Sequence, residues 1–510
     1  MKKVRILTAV MALLMLIVFV SCAKIPDEEN TPPADTTTYS GESKPEETSA
    51  PEETDAPNYI SDIPEDLNFN NRTIRMLVTG QPFSDDEFAT AGINGETVND
   101  AVYSRNMAIE DRIGVKLDIR IAAADSVYNV GNAIRNAVAS GDKSYDIATM
   151  PGYTHTSYVL EGDFYNLLSV ENLDLDKYYW TQGFNGIMNN GTKQYIASGA
   201  YSISMYRNMY ITLYNKRVME EQGLEDLYDI VKRGEWTIAK QAEMVKNVYI
   251  DKNGDTQKDA EDLYGFVTGA NTSTDPYWIS LNIPFLQLND GIYSIDINTD
   301  KLTDAVSAVQ DLIFNNGGVY CVGTTGGSVD GSNATTIISC FSSGNAAMCT
   351  TMIFQIENFL TPNNFADDYG IVPMPKYDEA QQDYFTHVQD QLSVIGVVST
   401  VNEADLPMMG AVLEVLSEES YKTIYPAYYK TALSYKYLQN EQSIEMLDLI
   451  YHSIKIEGAF IYSAKFAMLG SLRSIISSNN NRIASTVKGY SKSWGKSAES
   501  LNTELEKLKH

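Results

Sequence analysis

Asp251, Asn253 and Asp255 place three side-chain oxygens at i, i+2 and i+4 in the stretch Asp251–Asp262. That spacing wraps a loop around a hard cation. Gln257 would add a backbone carbonyl, Asp259 a further oxygen and Asp262 the twelfth-position carboxylate, so the stretch is a candidate Ca²⁺ loop with a structural role. Two features depart from that pattern. Glycine stands at the fourth place and not the sixth, and the last ligand is Asp where Glu is usual. Beside the cation reading stands an acidic Asx-rich turn. Other chemistry is sparse. Four histidines occur in 510 residues, with no HExxH, no GxSxG and no Walker-type glycine loop. Metallohydrolase and serine-hydrolase readings are thereby set aside, but paired carboxylates need no local signature. Cys321, Cys340 and Cys349 lack CxxC spacing, which disfavours a zinc site or a disulfide framework and leaves room for one disulfide.

The chain opens with Lys2, Lys3 and Arg5, followed by an apolar, uncharged stretch from Ile6 to Val20. Spanning a bilayer takes roughly 20 apolar residues, so this is the pattern of a secretory leader. Phe19-Val20-Ser21-Cys22 closes it, similar to a bacterial lipobox with Phe where Leu is usual. The resemblance makes 1–22 a lipoprotein leader and Cys22 the lipidated residue. Residues 23–66 are rich in Pro, Thr, Ser, Glu and Asp, with "PEET" twice. Such a segment buries too little surface to offset its ordering entropy, and its like charges extend it; a disordered acidic tether is expected. The net charge of −29 argues against nucleic acid and against anionic lipid as electrostatic partners.

The remaining body is long enough for about two domains. Arg72–Gly80 reads as a strand, Glu96–Gly114 as a helix closed by glycine, Val115–Ala122 as a half-buried strand, Val127–Gly141 as a helix and Tyr145–Met150 as a short buried strand. This alternation implies an α/β layer with a largely parallel sheet. Ligands bind beyond the carboxyl ends of such strands, which singles out Gln81 and Tyr153. The theme returns at Tyr210–Leu224, at the helix after Thr237 (an N-cap), at Lys301–Gly318, and at strands in Asn345–Phe354 and Asp368–Pro375.

Four segments in order, Asn99–Leu117, Tyr214–Thr237, Asp251–Phe266 and Asp368–Phe385, resemble the family 1 extracellular solute-binding proteins of bacterial ABC transporters, the carbohydrate-binding lipoproteins of that group. The resemblance implies a two-lobed, periplasmic-binding-protein-like α/β fold. Each lobe would be a mainly parallel sheet flanked by helices, with the ligand cleft between them. It implies residues 67–203 and 390–455 in lobe one and 204–389 and 456–510 in lobe two, joined by three crossovers. It also implies a monomer on the extracellular face, held to the membrane by its lipid alone, carrying a sugar or oligosaccharide to a permease.

A sugar presents hydroxyl fans and apolar C–H faces, so its site needs aromatic platforms and paired hydrogen bonders. Trp180 and Trp278 sit in polar, turn-like surroundings and are candidate platforms; Trp236, inside a helix-start motif, suits packing better. By analogy Tyr206, Arg207, Gln389 and Asp390 flank two crossovers, where they face the cleft or brace the hinge. Met352 and Phe354 follow a buried strand where relatives present an apolar wall. Two other readings stay open: a secreted carbohydrate-active hydrolase using paired carboxylates, and a binding protein for a peptide or another solute.

Overall fold

The computed structural model describes residues 60–84, 86–323, 332–360, 365–438, 440–479 and 482–509. The leader, Cys22 and the tether up to residue 59 lie outside the described residues. Twelve strands are described: β1 (Arg72–Val78), β2 (Val115–Ile121), β3 (Ile147–Pro151), β4 (Tyr210–Asn215), β5 (Tyr249–Ile250), β6 (Leu263–Gly269), β7 (Leu286–Asn289), β8 (Ile292–Ile295), β9 (Val319–Val322), β10 (Ala346–Met352), β11 (Tyr369–Val372) and β12 (Ser393–Val397).

The first lobe is built on the order β12-β3-β1-β2. β1 runs parallel to both neighbours, and β12 is antiparallel to β3. Alternation in β1 assigns its faces. Ile74, Met76 and Val78 enter one core with Ile109 and Ile113, while Leu77 enters the other. Helix Thr97–Ile113 starts at Glu96, whose carboxylate accepts from the Val98 and Asn99 amides. It stops at Gly114, left-handed at φ 59°, where a side chain would also strike Asn68. Helix Leu406–Tyr425 packs on it. Just past β1, a Cβ on Gly80 would lie 2.2 Å from the Ala122 carbonyl oxygen. Only glycine lets the chain leave β1 that close to the end of β2.

The second lobe has the order β11-β4-β10-β6-β5, with β9 also paired to β6. It is mixed and not mainly parallel. β6, β9 and β10 are parallel, whereas β4, β5 and β11 run antiparallel to their partners. The reason lies in β4. It enters straight from the first crossover, so its first residue, Tyr210, pairs with the last residue of β10, Met352. In the first sheet Pro151, last in β3, likewise pairs with Ser393, first in β12. Strand ends from both sheets therefore meet at the crossovers.

Two boundaries differ from expectation. Helix Glu441–His452 packs on β11 in the second lobe, so the third crossing precedes it and does not wait until residue 455. Gly458–Ile461 and Ser463–Phe466 pack on helix Gly152–Val159 of the first lobe, although the C-terminal helix Ile483–Lys507 lies on β8 and helix Thr299–Gln310. Lys193 ties that last helix down, its Nζ donating to the carbonyls of Leu505, Glu506 and Leu508 at 2.7, 3.1 and 2.7 Å. Carbonyls of the last turn lack the i+4 amides of the helix interior, and a lysine there also suits the helix dipole. Cys321, Cys340 and Cys349 are all buried, and Cys340 and Cys349 are free thiols. No helix among the described residues is long and apolar enough to cross a membrane.

Candidate functional site

The short helix Ile203–Arg207 carries the first crossover, and its last two residues serve different surroundings. Arg207 is buried and forked. Nη1 and Nη2 donate to the two carboxylate oxygens of Asp86 at 2.6 and 2.8 Å, and Nε donates to Glu357 at 3.2 Å. Asp86 follows β1 in the first lobe; Glu357 lies on helix Ile353–Phe359, after β10, in the second. The guanidinium also covers the Tyr428 ring at 5.4 Å, and the Tyr428 hydroxyl donates to Glu357. Beside this ion network Phe83 meets Phe354 edge-on at 6.5 Å. Arg207 and Phe354 thus stand together where the two lobes approach, with half-buried Met352 at the end of β10 close by.

The second crossover runs alongside. The Gln389 amide donates to the Asn208 carbonyl at 3.0 Å, and the Tyr153 amide donates to the Asp390 carbonyl at 3.1 Å. Asp390 is thereby fixed by its backbone between the lobes. Its half-buried carboxylate has no hydrogen-bond partner on another described residue, nor has the Tyr153 hydroxyl. Burial, then the nearby charge of Asp275, push Asp390 up to about 7, with Arg473 opposing. Burial and the Asp390 charge push Tyr153 up to about 12. Asp275 is fully buried at the start of helix Asp275–Ser280 and is gripped by Arg473 through Nε at 2.8 Å and through Nη2. Burial lifts it to about 6 against that pairing. Tyr210 donates to the Thr272 carbonyl and stacks on His387 at 5.5 Å.

Asn208 was not singled out by sequence reasoning. It is 1 % exposed, and neither its amide nitrogen nor its amide oxygen has a partner among the described residues. A buried amide left unmatched costs about 1–3 kcal/mol unless a water or a ligand completes it. Its position next to Arg207 was the available signal. Asp86, Asp275, Glu357, Tyr428 and Arg473 gave none, because their roles arise from partners far away in the chain.

Other expected residues do different work. Gln81 uses its side-chain amide on the Ala124 carbonyl at 3.1 Å, bracing the ends of β1 and β2. Trp278 is fully buried in the second lobe's core, not in a turn; helix Asp275–Ser280 is buried on every side. Trp236 donates to the Pro373 carbonyl at 2.9 Å, as packing requires. Trp180 is buried, donates to Glu414 at 3.2 Å and meets Tyr201 edge-on. It also lines a cavity of about 230 Å³ with Tyr178, Tyr206, Tyr421 and Tyr451. Tyr206 stacks on Tyr451 at 5.3 Å, beside a ladder of Tyr421, Tyr425 and Tyr429 stacked at four-residue spacing.

The cation loop is an Asx-turn loop. Asp251 accepts from the Gly254 and Thr256 amides, Asn253 from Asp255, Asp255 from Gln257 and Asp259 from Glu261. Asp262 is fully buried and accepts from the Lys252 amide and the Tyr249 and Tyr264 hydroxyls. Each of these side chains accepts from at least one neighbouring N–H or O–H. Among the described residues no three acidic, His or Cys side chains converge on one point.

No protein-family model matches the chain. No curated protein matches it either. Solved structures do. An ABC substrate-binding protein from Listeria monocytogenes in complex with cycloalternan superposes with TM-score 0.53 at 13 % identity, covering 84 % of this chain and 99 % of its own. A family 1 extracellular solute-binding protein from Bifidobacterium longum subsp. infantis gives 0.54 at 13 %, with 84 % and 100 % covered. The cyclic alpha-maltosyl-1,6-maltose binding protein of Arthrobacter globiformis gives 0.55 at 12 %, again with 84 % and 100 %. The fold is that of the two-lobed extracellular solute-binding proteins.

Proposed function

We propose that this chain is an extracellular solute receptor, lipid-anchored through Cys22, that delivers a carbohydrate, and specifically an oligosaccharide, to an ABC importer by closing its lobes. The observation that carries this reading is the crossover seam. Asn208, Asp390 and Tyr153 leave buried or half-buried polar groups unmatched where strand ends of both lobes meet. A solute there touches both lobes, and only differential contact with the open and closed states can shift their equilibrium. The sugars bound by the structural relatives from Listeria and Arthrobacter support the ligand class. Holding is favoured over cleaving: Asp275 is engaged by Arg473, and Asp86 and Glu357 by Arg207. That leaves Asp390 without a second free carboxylate beside it among the described residues.

A thermal-shift screen tests the ligand class. An oligosaccharide at a hundredfold excess over Kd stabilises the folded state by about 2.7 kcal/mol. Stabilisation by dipeptides alone would contradict the reading. Anchoring is tested separately. Cys22→Ala should release the protein from the membrane fraction into the medium, and unchanged retention would remove the lipid from the account.

A further inference from the structure

Two charged clusters flank the crossovers, Arg207 with Asp86 and Glu357, and Arg473 with Asp275 and Asp390. Arg207 and Arg473 bring two positive charges; Asp86, Glu357, Asp275 and Asp390 bring four negative ones. Both guanidinium forks are engaged. Arg207 directs Nη1 and Nη2 to Asp86 and Nε to Glu357, and Arg473 directs Nε and Nη2 to Asp275. Asp390 alone has no hydrogen-bonded counter-charge among the described residues. Yet the backbone holds it rigidly, through Tyr153 on one side and the Gln389–Asn208 bond on the other. The groups facing it are the phenols of Tyr153 and Tyr210, the Asp275 carboxylate and the Arg473 guanidinium, with His387 behind Tyr210. A second, independent observation is the Asn208 side chain, whose own backbone carbonyl accepts from Gln389 and whose amide is 99 % buried and unmatched at both ends.

Building on the sugar-receptor reading, we propose that the cleft takes a sugar carrying a primary amine, with its ammonium on Asp390 and an adjacent hydroxyl on the Asn208 amide. A neutral hydroxyl supplies Asp390 with a hydrogen bond but no charge. An ammonium supplies both, and it does so in a partly desolvated seam that holds an excess of negative charge. Charge-assisted bonds of this kind are about twice as strong as neutral ones. Asp390, pushed up to about 7 by burial and by Asp275, gains its ionised form when the cation arrives.

The test is calorimetry near neutral pH on the mature chain, with a glucosamine trisaccharide, its N-acetylated counterpart and maltotriose as probes. The amine form should bind at least about tenfold more tightly than either of the others, a difference that paired charge readily supplies. Asp390→Asn should collapse the ratio between amine and N-acetylated forms to within about twofold. The wild-type ratio decides the matter even where the variant folds poorly. Equal or tighter binding of the N-acetylated or neutral sugar overturns this inference and leaves the sugar receptor standing, as does a ratio that survives in Asp390→Asn. Binding of dipeptides and of no sugar overturns both.

Discussion

Tyr206 and Arg207 are adjacent in sequence and serve opposite kinds of environment. Tyr206 faces an aromatic nest in which the polar groups are matched: Trp180 N–H and Tyr179 O–H on Glu414, Tyr429 O–H on Asp448. Arg207 and its neighbour Asn208 belong to a seam where charges outnumber their partners and an entire amide goes unmatched. A folded chain tolerates unmatched buried groups where a ligand completes them. On the proposed reading the aromatic nest supports and the seam holds the solute.

The comparison breaks most readily at its aromatic side. Trp180→Ala should cost about 3–5 kcal/mol in denaturant unfolding, chiefly through lost packing, since Glu414 keeps the Tyr179 hydroxyl and the Asp174 amide as donors. A variant of unchanged stability that fails to bind sugar would move Trp180 from support to site. Next in size is Arg207→Ala, which leaves Asp86 and Glu357 uncompensated. We expect a loss of about 2–3 kcal/mol, less than for a wholly buried pair because Asp86 is open to solvent. Asn208→Leu sharpens the contrast through opposite signs. Removing an unmatched amide should leave stability equal or up to about 1–2 kcal/mol higher, while sugar affinity falls at least about tenfold. Parallel losses of stability and binding would make Asn208 a packing residue.

Stability should also fall as pH rises. Burial lifts Glu87, Asp390, Glu414 and Glu457 each to about 7. Below roughly pH 4 these groups are protonated in both states. Between there and pH 7 the unfolded chain releases their protons while the folded chain retains them, so stability declines across that window. Carboxylates held low by partners, such as Asp367 beside Arg217 and Asp405 beside Arg72, act in the other sense only below about pH 4. A melting midpoint higher at pH 5 than at pH 8 is expected, and the reverse order would contradict these burials. Smallest of all, a chelator should leave the midpoint unchanged, because both oxygens of Asp251 and of Asp262 already accept from the protein's own N–H and O–H groups.

Sequence reading went furthest where structure is local. Helix Thr97–Ile113 and its glycine stop follow from a period of apolar residues and one left-handed turn. Tyr206–Arg207 and Gln389–Asp390 were singled out through the order of four motifs. Arg473 and Glu357 were not, since their partners lie 198 and 150 residues away. Trp278 was misplaced for a related reason: Asp275-Pro276 reads as a turn but starts a helix whose polar first residue is neutralised by distant Arg473. The second sheet's mixed pairing was hidden as well, because strand direction is set by where a crossover enters and not by the strand's own residues.

The most direct measurement is the distance between spin labels at Ser140 in the first lobe and Ser343 in the second, both exposed, with and without a bound oligosaccharide. The account predicts a shorter and narrower distance distribution on binding, absent in Asn208→Leu. Sugar bound with the distribution unchanged would contradict it.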